Sequence, residues 1–348
     1  MSTLPDHMVK LEVDGMAYSG WTTIEIERGI DQMTGTFALR LAAKERTGAE
    51  DWPILEGAAC RVVLAGEPLI TGYIDSFTPF VGPEERGIDV RGRDRTADLV
   101  DCSAINRPGS WRNRKLEEIA AELIKPFGIT LAISGSTGAP FSRFALQQGE
   151  TVFAAIERMC RYRGLVAWSA GDGILRIGNP DSGQSIGRLV EGDNVITARR
   201  TSTVSDRFSD YVVKGQATGS DERNGAAVAQ VQGEAFDPAI TRYRPLLIIG
   251  EEQSDRASLK KRAEWEAAVR SGRSQQVEIT VPGWLDAQGR PFAHGMRAEC
   301  DVPSARISGS LLIERLTFTR DAEGGTVTRF DLVPPEAWTQ LAEPEPRA

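Results

Sequence analysis

Two histidines in 348 residues leave little room for metal or nucleophilic chemistry. His7 stands near the start of the chain. His294 lies in the loop PFAHGM, and neither belongs to an H-E-x-x-H or similar spacing. A Ser-His-Asp arrangement would have to rest on His294 alone, so its expected role is structural. Cysteine is equally scarce. Cys60, Cys102, Cys160 and Cys300 form no C-x-x-C pair, which excludes zinc knuckles and thioredoxin-type sites and leaves four thiols to be buried as small residues. No run of 18 apolar residues exists, so no helix is expected to span a membrane. The N-terminus lacks a signal-peptide core, and the expectation is synthesis in a host cytoplasm. A basic excess is missing too: net charge is −8, which argues against a tight grip on nucleic acid but suits a surface that a phosphate chain passes without sticking. No cofactor or metal is expected.

What is present is material for more than one core. Hydrophobic residues make up 41% of the chain and charged residues 26%, both globular values, and the length suits two to three domains. Residues 1–100 alternate apolar and polar: Ile24-Glu25-Ile26-Glu27, Phe37 to Leu41, Ile88 to Arg91. Turn pairs such as Asp14-Gly15 and Gly82-Pro83 fall between them, and the pattern predicts an antiparallel β-barrel. Residues 101–180 change period. Helices are predicted from Lys115 to Lys125, stopped by Pro126, and from Glu150 to Arg163, capped by Gly164. A hairpin follows whose turn is Gly171-Asp172-Gly173, so this stretch is a small α+β module. Residues 181–192, rich in Gly, Ser and Asp, read as a linker; strand-like material returns at 195–216, and a second, discontinuous barrel is predicted over 181–217 and 276–340. An insert at 218–275 carries a helix from about Ser254 to Gly272, with serine and glycine as its caps. The fold class is mainly β with α+β insertions, with two similar tube-protein-like antiparallel barrels.

The two barrels share a signature. IDSFT at 74–78 and IERLT at 313–317 have the same pattern of isoleucine, acid, variable residue, large apolar residue and threonine. Upstream, residues 22–42 resemble residues 197–217 in strand, turn and strand order, which pairs Phe37-Ala38-Leu39 with Tyr211-Val212-Val213. A chain with two such units can trimerise into a ring of six, one face fitting a six-fold structure and the other a three-fold one.

Three stretches, QQGETVFAAIERMCRYRGLVAWSAGDGILRIG (147–178), RAEWEAAVRSGRSQQVEITVPGW (262–284) and GRPFAHGMRAECDVP (289–303), carry a resemblance to the baseplate hub proteins of Mu-like contractile-tailed bacteriophages. Phe292 stands where such proteins often have tryptophan. The resemblance implies a homotrimeric structural hub in the virion, between the hexameric tail tube and the trimeric central spike. It implies partners in the tube protein, the spike, and other baseplate and tape-measure proteins, with DNA only in passing. The expected role is not enzymatic. The other reading is a cell-wall-binding or wall-degrading tail protein.

Candidate residues for the lumen or ring surface are the wet positions of the repeated strands: Glu25, Glu27, Arg40, Asp75, Asp89 and Glu314. The same residues would serve equally to solubilise an outer surface. The basic cluster of Arg107, Arg112, Arg114 and Lys115 around Trp111 reads as a solvated loop in an acidic chain. The pairs Glu84-Glu85 and Glu251-Glu252 are adjacent in sequence, point apart on a strand, and make no two-carboxylate site.

Overall fold

A computed structural model describes residues 8–43, 54–83, 85–216, 231–253 and 256–342. His7, Glu84, Ser254 with its cap, and the tail from 343 lie outside the described residues. The fold is mainly β, as the alternation predicts.

The first unit is built from β1 (Lys10–Val13), β2 (Met16–Tyr18), β3 (Thr23–Gly29), β4 (Thr36–Ala43), β5 (Ala59–Leu64), β6 (Glu67–Val81) and β7 (Arg86–Asp94). The α+β module follows. It contains α1 (Ala97–Asp101), β8 (Ser110–Trp111), α2 (Leu116–Ile124), β9 (Thr130–Ile133), β10 (Phe144–Ala145), α3 (Val152–Arg163), β11 (Val166–Ser169) and β12 (Ile174–Gly178). Next come β13 (Ser185–Val190), β14 (Thr197–Ser202), β15 (Asp210–Gln216), β16 (Val231–Phe236) and β17 (Pro245–Gln253). The chain ends with α4 (Arg256–Arg273), β18 (Gln275–Pro282), β19 (Arg297–Val302), β20 (Ile307–Asp321) and β21 (Gly325–Val333).

One sheet runs through both main units in the order β14-β18-β21-β20-β3-β4-β7-β6-β5-β1-β2, with β19 and β13 branching from β20. Among the described residues, no strand pairing closes either unit into a barrel. The β13–β19 pairing is parallel, against the antiparallel expectation. Beneath the sheet a single apolar cluster joins Ile24, Ile26, Phe37, Leu39, Val90 and Ile74 of the first unit to Ile279, Ile313, Leu316, Phe318 and Phe330 of the second. Alternation explains the choice: residues two apart share a face, and that face is the covered one.

The Ile-acid motif has the same backbone in both copies. Opposite β7, Ile74 faces Gly92 and Ser76 faces Arg91, so Asp75 is the extra residue of a β-bulge. Opposite β21, Ile313 faces Leu332 and Arg315 faces Asp331, so Glu314 is the extra residue. Bulges bend a strand, and here each bend lies where β6 or β20 leaves its first neighbour.

The second repeated block needs correction. Position in the sheet makes β14 the counterpart of β3, which agrees with the first half of the 22–42 and 197–217 match. The second half fails. The counterpart of β4 is β18, because β18 lies between β14 and β21 as β4 lies between β3 and β7. Strand β15 instead sits in a separate sheet, β16-β15-β17, packed on α4. Tyr211 and Val213 do alternate as Phe37 and Leu39 do, but they are buried in another core.

In the module, Gly164 ends α3 at φ 63°, the cap that the sequence predicts, while at the other end Thr151 Oγ1 accepts from Ala154 N at 3.2 Å and starts the helix after Glu150. Helix α4 departs from expectation at its end. It runs through Gly272 to Arg273, so Gly272 is not a cap. A Cβ there would meet Ala337 N at 2.6 Å; glycine lets the helix touch the 3-10 turn Pro335–Trp338. Cys102 is exposed, unlike the other three cysteines.

Changing Gly272 to leucine should force that contact apart at a cost of about 1–3 kcal/mol. Chemical denaturation of the purified chain would show the loss, while Gly289→Ala, which meets nothing within 4 Å but adopts φ 77°, should show backbone strain alone.

Candidate functional site

Cross-strand register assembles one polar face across both units. Arg329, Thr317, Glu27, Thr36 and Arg93 form one row; Thr319, Glu25, Ala38, Arg91 and Ser76 form the next; Thr23, Arg40, Asp89 and Thr78 follow. A further row starts at Arg199 and runs through Glu278 and Asp331 to Arg315. Thus Glu25, Glu27, Arg40 and Asp89 do share a face, opposite the apolar core.

Arg40 was among the sequence candidates on this face, but Arg93 and Arg315 were not, and the three arginines together organise it. Arg93 donates to Asp75 at 2.7 Å and reaches Asp101 at 2.9 Å, and these bonds hold its pKa above the usual arginine value. Asp75, though at a bulge, is thereby drawn to the polar face. Arg40 pairs with Glu85 at 2.7 Å, lies 3.9 Å from Asp89, and stacks on the Phe80 ring at 4.3 Å. Arg315 pairs with Asp31 and stands 3.9 Å from both Glu27 and Asp331. The missed signal was available: Arg93 and Arg315 lie on the same strands as the chosen acids. Glu314 is placed differently. It accepts a bond from Trp338 Nε1 at 3.0 Å, and burial, with Asp31 nearby, raises its carboxyl above the ordinary range. It is a half-covered group under Trp338 rather than an open surface charge.

A second polar cluster lies where the units meet. Arg28 continues the inward parity of Ile24 and Ile26 and is buried. Its Nη1 donates to Ala170 O of the module at 2.9 Å and to Leu69 O of β6 at 3.4 Å; its Nη2 donates to Phe292 O of the second unit at 3.1 Å. Burial lowers its pKa to about 10, which still leaves it charged at neutral pH. The Gly171 turn docks on β6, with Thr71 N donating to Gly171 O at 2.6 Å. A Cβ on Gly171 would stand 1.9 Å from Leu69 O, and its φ is 83°. Asp172 and Arg176 form a two-pronged pair at 2.8 and 2.6 Å close by. His294 is buried beside this cluster, and burial, then Arg28, pushes its pKa down to about 3. It is neutral at pH 7, a structural histidine. Asp94 accepts from Thr96 N and Gly35 N, both at 2.8 Å, while burial raises its pKa.

The remaining candidates resolve simply. Trp111 is buried, with Nε1 donating to Glu122 at 2.9 Å, while Arg112, Arg114 and Lys115 face solvent. Glu251 and Glu252 are neighbours on β17. Among the described residues no group of His, Cys, Asp and Glu is arranged to hold a metal, and no helix is long and apolar enough to cross a membrane.

Comparison with known proteins agrees with this architecture. Residues 8–94 match "Mu phage baseplate assembly protein GpP-like, N-terminal"; residues 96–179 match "Baseplate hub protein gp44-like, second domain"; residues 255–341 match "Mu phage baseplate assembly protein GpP, fourth domain". A tail protein of prophage MuSo2 from Shewanella oneidensis superposes with a TM-score of 0.86 at 32% identity, covering 96% of this chain and all of the other. A tail protein from Neisseria meningitidis superposes at 0.79 with 23% identity, covering 95% and 98%. These define a phage tail protein. Baseplate hub protein gp44 of Escherichia phage Mu is 32% identical over 338 residues, which are 95% of this chain and 88% of that one. The chain belongs to the family of baseplate hub proteins of Mu-like phages, and is a structural component of the tail baseplate.

Two changes test the joint. Arg28→Ala strands carbonyls of three units and leaves a void, so the chain should lose about 3 kcal/mol or more in urea unfolding. His294 has a folded pKa of about 3 against an ordinary 6.5, so the unfolded chain binds the extra proton. Its share of stability is whole above pH 6.5 and drains away as pH falls toward 3, at up to about 1.4 kcal/mol per pH unit. Asp94, shifted upward, acts in the opposite direction. Urea midpoints at pH 7, 5 and 4 should fall less steeply for His294→Gln than for the parent.

Proposed function

We propose that this baseplate hub is a homotrimer that adapts the six-fold tail tube to the three-fold central spike and forms part of the DNA channel. One observation supports this reading above the rest. The chain holds two sheet units of the same strand order and the same bulge, set side by side by the pairing of β3 with β20. Three chains would supply six such units in a closed ring, and a ring of that kind presents three-fold and near-six-fold faces. Partners are then the tube protein, the spike trimer and neighbouring baseplate proteins. The role is mechanical, without catalysis.

The polar face is the surface that best suits the bore. Glu25, Glu27, Asp75 and Asp89 lie on it or reach it, interleaved with Arg40, Arg93 and Arg315, so a phosphate chain would meet no uninterrupted basic track.

Light scattering of the purified chain, or mass measurement of the assembled subcomplex, should give three copies; a lone chain or a dimer in particles would defeat the adaptor reading. Incubation with purified peptidoglycan should give neither pelleting nor lysis, and either result would favour the wall-binding reading. Changing Glu25 to lysine should leave assembly within about 0.5 kcal/mol, and Asp75→Lys, which breaks the pair with Arg93, should cost up to about 1 kcal/mol. If the face lines the bore, particles carrying both changes should eject DNA less efficiently, most of all at low salt, where screening is weak. Wild-type infection at every salt concentration would place these acids elsewhere.

A further inference from the structure

The small sheet β16-β15-β17 is covered on one face and open on the other. Helix α4 lies on the side of Tyr211, Val213 and Ala235, with Leu246 and Ile248 packed partly beneath it. Strand register defines the open face. Asp210 faces Phe236 and Pro245, Val212 faces Leu247, and Lys214 faces Ile249, so these rows share the side away from α4. Phe236 is 66% exposed, Leu247 55% and Ile249 76%, three large apolar side chains left in water on one sheet. The other exposed ones, such as Met16, Leu55 and Ile105, stand singly on separate elements.

The sequence of β17 fits a strand with two covers. Leu246-Leu247-Ile248-Ile249 is apolar without a break. Strands that are wet on one face alternate, and unbroken apolar runs belong to strands covered on both. In this chain β17 has one cover, α4. We propose that the open face of β16-β15-β17 takes an amphipathic helix from another baseplate protein, which completes a helix–sheet–helix stack. The contact does not depend on three-fold assembly of the hub.

Spacing and charge narrow the occupant. Pro245, Leu247 and Ile249 form an apolar column, with Val212 beside Leu247. Successive positions on one strand face lie about 6.7 Å apart. Residues four apart on a helix rise by about 6 Å, so a helix laid along β17 meets the column with apolar residues three and four apart over roughly three turns. The charges beside the column are ordered. Asp210 stands in the Pro245 row and Glu234 in the Leu247 row, while Lys214 stands in the Ile249 row. None of the three has an ion-pair partner among the described residues; Asp210 accepts from Ser209 and Glu234 from Gln232. The partner helix should therefore carry a basic residue toward Asp210 and Glu234 and an acidic one toward Lys214. A second copy is the poorer occupant. This face against itself is a two-fold contact, which gives pairs of hubs and no closed three-fold ring.

The test is photo-crosslinking in assembled tails. Benzoylphenylalanine is placed at Leu247 of the whole chain, with Glu264 on α4 as the control position; both are exposed, so folding should survive. After irradiation, position 247 should give one adduct, with a different tail protein. The linked peptide, read by mass spectrometry, should show apolar residues three and four apart, with a base at one end and an acid at the other. Position 264 should not link to that peptide. In the second arm, Leu247→Glu with Ile249→Glu should keep the urea midpoint of the parent yet lower incorporation of the linked protein into tails at least tenfold. An adduct between two hub copies, a linked peptide without helical period, or no adduct above the Glu264 control overturns the proposal. Full incorporation of the linked protein by the double variant overturns it as well.

Discussion

Arg28 is a cation buried where three structural units converge, and its two Nη groups find their carbonyl partners when all three are in place. Its guanidinium fork takes a carbonyl from β6, one from the module turn and one from the loop that precedes β19. Each bond alone would be worth little beyond the water it replaces, but an unmet buried guanidinium is costly. The joint therefore couples the placement of the module to the placement of both sheet units. Gly171 is part of the same constraint, since no side chain fits between its backbone and Leu69. A hub under mechanical load has reason to fix its units in this way: a joint of fixed carbonyls has one geometry, whereas a greasy contact of the same size tolerates sliding.

The bulged strands solve a related problem. A strand can hold two neighbours on one edge only if it bends between them, and an extra residue supplies the bend. In both copies that residue is an acid, but the two acids have different tasks. Asp75 turns to Arg93 at 2.7 Å, while Glu314 lies under Trp338 with its charge disfavoured by burial. The backbone device repeats and the side-chain environment does not, because Glu314 borders the 3-10 turn that follows β21 and Asp75 has no such cover.

Much of this was legible in the residues. The module hairpin and the Gly164 end of α3 follow from turn chemistry and period, and the Ile-acid motif repeats in plain view, though the bulge it marks does not show in the pattern. Partner choice did not. Period two says which face a side chain takes and nothing about which strand lies beside it, so Tyr211 and Val213 looked like Phe37 and Leu39 although their core belongs to α4 and the separate sheet. Gly272 looked like a cap because glycine near a helix end usually is one; its use here is set by Ala337, 65 positions along the chain. Arg28 carried a signal that went unread. It occupies the third inward position after Ile24 and Ile26, and a charge at an inward position is either an error or a joint.

The candidate acids were chosen for their sign, and the structure gives them meaning through their neighbours. Coulomb fields of interleaved charges cancel within a few ångströms, and salt shortens them further, to about 8 Å at physiological strength. On the polar face Arg40 stands between Glu85 and Asp89, and Arg315 among Glu27, Asp31 and Asp331. Such a face is hydrated and stiff, with little net field at a distance. If this face lines the proposed bore, repulsion by a net acidic surface and indifference of a balanced one are different ways to keep a phosphate chain moving, and the second asks less of the proposed assembly: like charges brought together in a ring would oppose its closure, while paired charges travel as neutral sets. The acidic excess of the chain as a whole can then serve solubility before assembly, leaving the face itself to be built from pairs.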